Sequence, residues 1–404
     1  MRDFSATTKV AAIAFVLGCG SAQTPTPVQA TSQMPITPFV RHEVTRLDGH
    51  PLPADSIERI VTHAMENARV PGLALAVINR GEVVYMAGFG YRNVEKQLPL
   101  TDTTVMYAAS LTKAMFAYLA MQLVDDGAIA LDTPIAKYLP KPLPSYEKYA
   151  DLAGDARWER ITPRMLLTHS SGLPNWRFLA PDQKLHLQFD PGTHFGYSGE
   201  GINLLQFVIE EHTGKHVGDM MQTRIFDRFG MTRTGMVWRP SFASEYALGY
   251  DTANVVVGHN LRSSARAAGS ADTDIADMAR FVCGVLRGEG LSAASRREMW
   301  SPQLRIRTSS EFPSPQFDTT TRDDAIQLAY ALGWGTFVSP HGPAFFKEGH
   351  DDQSWRNYMV AFSDSKSAII MLSTSANAEP MFPGLLAQIL GDTYSPVKWM
   401  GYVP

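Results

Sequence analysis

The chain has 404 residues, 45% hydrophobic and 10% aromatic, enough for a large core and, by length, for two or three domains. Only 19% are charged, and 36 basic against 40 acidic residues leave a net charge of −4, so no strong field of either sign attracts a polyanion and nucleic acid is not an expected partner. Two cysteines, Cys19 and Cys283, are too few and too scattered for a disulfide scaffold or a cysteine-rich metal site.

In chain order, Arg2 and Lys9 precede the apolar run Val10 to Leu17 and then Gly18-Cys19, the layout of a secretory signal too short to span a bilayer. Val16-Leu17-Gly18-Cys19 resembles a bacterial lipoprotein cleavage site, with Cys19 as the lipidated first residue and a membrane tether. Cleavage after Val28-Gln29-Ala30, giving a soluble exported protein, is the alternative. Either way the sequence predicts an exported bacterial protein, periplasmic or anchored as a lipoprotein. Residues 20–45, rich in Ser, Thr, Gln and Pro at their start, read as a flexible linker, with the fold starting near residue 45.

Asp55-Ser56-Ile57-Glu58 predicts a helix cap, followed by Ile57, Ile60, Val61, Ala64 and Met65 at helical spacing and an end before Pro71-Gly72. Leu73 to Ile78 and Val83 to Ala87 flank Asn79-Arg80-Gly81-Glu82 as a β-hairpin. Trp355 to Phe362 and Ser367 to Leu372 flank Ser363 to Lys366 as a second hairpin, and Pro383 to Leu390 suits a closing helix. Between the ends, stretches such as Leu111 to Val124 and Ile202 to Glu211 are helical. The pattern predicts an α+β fold: an α/β domain from residues 46–104 and 325–404, its antiparallel sheet built from both chain ends, with an inserted all-helical domain over residues 105–324.

The strongest local signal is Ser110-Leu111-Thr112-Lys113 at the start of an apolar helix. Three residues make about one helical turn, so the Lys113 amine can reach the Ser110 hydroxyl, and a helix N-terminus favours an oxyanion. A serine that merely caps its helix beside a surface lysine gives the same pattern. Further along, Phe189 to Gly199 puts Tyr197 in a turn-rich loop, and Phe345-Phe346-Lys347-Glu348-Gly349 puts a lysine and a glycine on a strand. Gly196-Tyr197-Ser198-Gly199-Glu200 lacks the last glycine of a Gly-x-Ser-x-Gly elbow, which argues against Ser198 as a nucleophile.

With these motifs, and with Leu131 to Pro134, Leu166 to Pro174 and Gly269 to Thr273, the chain resembles the serine β-lactamase and penicillin-binding D,D-peptidase superfamily, in its class C and related-esterase branch, from about Pro71 to Leu390. The resemblance implies that Ser110 is the acylated nucleophile and Lys113 its partner in proton transfer. Tyr197 would sit between two lysines and shuttle a proton, and Lys347 would be the lysine of the family's Lys-Thr-Gly strand. The oxyanion hole would be the backbone N–H groups of Ser110 and His350, with no metal and no organic cofactor. Two close ammonium groups would lower each other's pKa and that of the tyrosine.

Two departures mark the site. Gly199 stands where the family's Tyr-x-Asn has its amide, and Glu348 stands in Lys347-Glu348-Gly349 where the family has a hydroxyl that helps hold a substrate carboxylate. Two carboxylates about 4 Å apart repel by about 1 kcal/mol or more, so anionic β-lactams are expected to be poor substrates and neutral or amine-bearing esters or amides better ones. Alternatively Glu348 points away and pairs with Arg356. Trp355, following the Lys347 strand, is expected to line a substrate wall with His350. The function expected is a serine hydrolase acting through an acyl-enzyme on an ester or amide; a true class C β-lactamase, a D,D-carboxypeptidase acting on β-lactams or peptidoglycan, and a non-catalytic penicillin- or peptidoglycan-binding lipoprotein are the alternatives. Nothing in the sequence sets the oligomeric state.

Overall fold

The computed structural model describes residues 34–314 and 317–402; the expected signal, Cys19 and most of the expected linker lie outside the described residues. The first predicted hairpin is present as β2 (Gly72–Asn79) and β3 (Glu82–Asn93), and its turn works because Arg80 and Gly81 both take positive φ, 54° and 81°, matching the right-handed strand twist. Before it runs β1 (Ile36–Arg41), and after it the short β4 (Leu98–Pro99). The C-terminal part supplies β5 (Leu304–Arg305), β6 (Ala329–Tyr330), β7 (Gly335–Ser339), β8 (Gly342–His350), β9 (Arg356–Phe362) and β10 (Ser367–Ser373). Among the described residues these form one ten-stranded antiparallel sheet, ordered β1-β3-β2-β10-β9-β8-β7-β6-β5 with β4 beside β3. Chain ends meet where β10 pairs β2, Ile369 opposite Val77.

Strand alternation sorts the core onto two faces. Leu73, Leu75, Val77, Tyr358, Val360 and Met371 face α1 (Ala54–Ala68), through Ile57, Val61 and Met65, and the C-terminal helical segments. Ala74, Ala76, Ile78, Met359 and Ile370 face the helical side, with α2 (Leu111–Asp125) and α4 (Ile275–Arg287); α3 (Gly199–Thr213) belongs to the same core. Helix α2 is buried on every side from Leu111 to Leu123, which explains why its sequence is apolar all round rather than striped.

Three expectations are corrected. The fold begins before residue 45: β1 pairs with β3, Ile36 opposite Phe89 and Arg41 opposite Tyr85, with a bulge between Pro38 and Val40. A half-exposed edge strand interrupted by proline carries little hydrophobic periodicity. Helix α1 starts at Ala54 with Pro53 at its N-cap and no side-chain cap bond, so Asp55 and Ser56 sit in its first turn. Strand β5 joins the main sheet from within the stretch expected to be helical.

Candidate active site

Strand pairing and one strained turn aim Ser110. Met106–Tyr107 pairs with Asp272–Thr273, and Ala108 N–H donates to Ala271 O at 2.9 Å, so the chain enters α2 along a fixed edge. Ala109 then takes a left-handed conformation, φ 48°, held by Thr112 Oγ1 donating to its carbonyl at 2.7 Å. Ser110 itself is helical, φ −70° and ψ −6°, and makes no side-chain cap bond. Its hydroxyl is therefore free for other partners, unlike that of a capping serine.

Lys113 Nζ lies 2.7 Å from Ser110 Oγ and donates to Ala268 O at 2.6 Å. The side chain is 1% exposed, and burial, followed by the Lys347 ammonium, holds its pKa well below the usual lysine range. Tyr197 comes from the loop before α3. His169 holds that loop, accepting from Ser198 N–H at 3.2 Å on Nδ1, taking Gly196 N–H on its carbonyl at 2.8 Å and packing its ring 4.4 Å from Tyr197. The Tyr197 ring lies between the two lysine amines, 5.0 Å from Lys113 Nζ and 4.9 Å from Lys347 Nζ, while its hydroxyl accepts from Lys347 Nζ at 3.3 Å.

Lys347 sits on β8 where β7 has ended: β7 pairs only Gly342 to Phe346, which leaves the edge from Lys347 to His350 without a strand partner on that side. Gly349 lets this edge reach α2, since a Cβ there would meet Ala108 O at 2.7 Å and Leu111 N at 3.0 Å. Strand end and helix start are thus in contact on either side of Ser110, the arrangement that the oxyanion-hole reading of Ser110 and His350 requires.

The structure so brings Ser110, Lys113, Tyr197 and Lys347 together, but it changes three details. The Tyr197 pKa is raised rather than lowered: burial, then the Glu348 and Glu311 carboxyl groups, push it well above the usual value. Glu348 neither faces the substrate nor pairs with Arg356. It alternates to the far side of β8, opposite Tyr358, is 2% exposed, and forms an ion pair with Lys347 Nζ, while Arg356 pairs with Glu379 at 3.2 Å. Burial pushes Glu348 up, but the Lys347 ammonium outweighs it and the net shift is downward. Trp355 is core, not substrate wall: 2% exposed, it packs on Tyr107 and His259 at 6.5 and 5.3 Å. The His350 side chain is part-exposed, 3.5 Å from Glu379. Ser198 is a buried cap of α3, accepting from Gly201 N–H and donating to Pro174 O, both at 2.8 Å, which removes it as a nucleophile.

Two residues of the site went unnoticed in the sequence. Trp176 covers Gly199, where a Cβ would sink into its indole, and its ring centroid is 6.0 Å from Lys113 Nζ. The space left by the family's missing amide is thus filled by an aromatic wall; its position just after Leu173-Pro174 was the available signal. Glu311, in a Ser- and Pro-rich loop, carries no signal at all, yet its carboxyl is buried against Glu348.

The family profile described as beta-lactamase matches residues 57–391. The chain belongs to the β-lactamase family. A D-aminopeptidase from Gluconobacter oxydans is 24% identical over 346 residues, covering 81% of this chain and 60% of its own. The chain spans about three fifths of the length of that relative and of a beta-lactamase from Escherichia coli. Among solved structures, the octameric penicillin-binding protein homologue from Pyrococcus abyssi superposes with a TM-score of 0.68 at 21% identity, covering 85% of this chain and 79% of that one. The D-alanine carboxypeptidase AmpC from Burkholderia cenocepacia gives 0.66 at 20% identity, covering 83% and 98%. These likenesses establish the β-lactamase and transpeptidase-like fold, with the large antiparallel sheet and helical side described above.

Proposed function

We propose that this β-lactamase-family protein is an acyl hydrolase that acylates Ser110 and releases the acyl group to water, acting on neutral or amine-bearing esters or amides. The observation that carries the reading is the 2.7 Å contact between Ser110 Oγ and a buried Lys113 amine whose surroundings favour its neutral form. A serine hydroxyl needs an adjacent base, and a neutral amine is one. Lys113 takes the Ser110 proton as Oγ adds to the carbonyl carbon, and the oxyanion accepts from the backbone N–H groups of Ser110 and His350. Tyr197, uncharged, gives its hydroxyl proton to the leaving oxygen or nitrogen and regains one from the Lys113 ammonium. In deacylation the amine takes a proton from water, the hydroxide adds to the acyl carbon, and Ser110 Oγ departs with that proton.

The substrate preference rests on Glu348. Because it neutralises Lys347, the site offers no free ammonium to a substrate carboxylate. The D-aminopeptidase relative is in keeping with an amine-bearing substrate. Export, by lipidation at Cys19 or after Ala30, is proposed from residues 1–30 alone.

The test is covalent labelling with a fluorophosphonate and with labelled penicillin, mapped by mass, beside turnover of p-nitrophenyl esters, D-alanyl amides and a cephalosporin. The expected result is phosphonate on Ser110, little penicillin adduct, and ester or amide turnover that falls at least about a thousandfold in Ser110→Ala. Penicillin labelling as strong as the phosphonate assigns the site to β-lactams or peptidoglycan instead. No adduct at all assigns a binding protein, and turnover surviving Ser110→Ala sinks the mechanism.

A further inference from the structure

Glu311 takes no part in the steps above, yet it is 4% exposed and carries a carboxyl group into the interior beside them. Its loop is clamped to the Tyr197 loop: Ser314 Oγ donates to Glu311 O and accepts from Tyr197 N–H at 3.0 Å, while Glu311 N–H donates to Trp399 O at 2.9 Å. The Glu311 and Glu348 carboxyl groups interact in the interior, and each has one buried oxygen, Glu311 Oε1 and Glu348 Oε2, without a hydrogen-bond partner. An ionised carboxyl only accepts, so two such buried carboxyl groups can satisfy each other only when one keeps a proton. Glu348 Oε1 is already engaged by Lys347 Nζ, which marks Glu348 as the ionised member and Glu311 as the acid. Other charged or titratable groups near the pair include Lys113 on α2, Tyr197 on its loop, Tyr330 on β6, Tyr358 on β9 and Tyr402 near the C-terminus.

We infer that Glu311 is a positioning residue: as a neutral acid it donates a hydrogen bond to the Glu348 carboxylate, which holds the Lys347 ammonium against Tyr197 and keeps its charge from a substrate carboxylate. The inference rests on the Ser110 mechanism proposed above for its kinetic consequences, though not for the hydrogen bond itself. The chain of contacts runs Glu311, Glu348, Lys347, Tyr197 hydroxyl. No proton is transferred along it during turnover; Glu311 keeps its proton throughout.

Charge and shape are separated by substitution. Glu311→Gln keeps a donor to Glu348 and leaves the pair's charge unchanged. Its turnover is expected within about threefold of wild type, and its preference between a carboxylate-bearing ester and the matching methyl ester unchanged within about twofold. Glu348→Gln frees the Lys347 charge, and that preference should shift about tenfold toward the carboxylate-bearing ester. Glu311→Met removes the donor, and kcat for the neutral ester should fall about tenfold with KM little changed. The infrared spectrum of wild type minus Glu311→Gln at neutral pH should contain the carbonyl band of a protonated carboxyl group. Absence of that band, or a Glu311→Gln preference shifted like that of Glu348→Gln, overturns the proposal by showing that Glu311 is charged. If Glu311→Met does not fold, the glutamine variant and the infrared band decide. Ser110→Ala run in parallel separates the two readings, since its turnover tests the nucleophile while the band reports the carboxyl pair whether or not Ser110 reacts.

Discussion

Lys113 illustrates how one residue acquires chemistry from its surroundings. Its four-carbon stem packs into α2's apolar environment, and burial together with the Lys347 ammonium disfavours its charged form. With the neutral amine as the proposed base, phosphonylation of Ser110 should rise as pH increases through the lowered Lys113 pKa and then level off. Lys347→Met removes one of the two causes; Lys113 then holds its proton to higher pH, and the same acid limb should move to the alkaline side. A stopped-flow pH profile of phosphonylation checks both, and an unmoved limb in Lys347→Met would refute the coupling. At this scale Ser110, Lys113, Tyr197 and Lys347 were legible because each lies in a short motif whose spacing one helical turn or one strand fixes. Trp176 and Glu311 were not, because their roles depend on which loops fold against α3 and β8. The role of Glu348 was misread for a related reason: alternation along β8 says which residues share a face, but the identity of each face emerges only once the sheet is packed.

Helix α4 shows the same interplay in an element. Asp274 is its N-cap, accepting from Asp277 N–H at 2.7 Å, and is 1% exposed. Burial, with the Asp277 carboxylate close behind, pushes its carboxyl up to about 8, against an ordinary value near 4. The folded protein therefore holds a proton that the unfolded chain has already released, and stability falls as pH rises between those two values. Asp274→Asn keeps the capping oxygen without the charge. Its thermal midpoint should gain on wild type as pH rises from about 5 to 8, by an amount on the order of 1–2 kcal/mol near the upper end; differential scanning fluorimetry across that range tests it, and a constant offset would contradict it. Helix α2 has the opposite arrangement, since its N-cap serine is withheld from capping and serves Lys113. Helix α2 was legible from its apolar run, whereas α4 was not singled out, and which cap was structural and which was free for Lys113 depended on the fold.

At the scale of the whole molecule, the sheet is closed at one side by β1, which covers the outer edge of β3. A chain starting at residue 45 removes that strand together with the Arg41 contacts to Asp55 and Glu58. It should lose about 2–4 kcal/mol of stability, mainly from ladder hydrogen bonds, and expose an edge prone to self-association. Urea unfolding and light scattering of the truncated and the longer chain measure this, and equal midpoints would show that β1 is dispensable. By itself the sequence determined the family, both hairpins, the apolar helix and the four polar groups at its start, because these depend on local periodicity and on motifs within a turn or a strand. Tertiary structure alone decided the extent of the sheet, the lowered Lys113 pKa, the raised Tyr197 pKa and the ion pair of Lys347 with Glu348. Each of those depends on burial and on the field of residues distant in the chain, and desolvation has no signature until the chain has folded around the group it acts on.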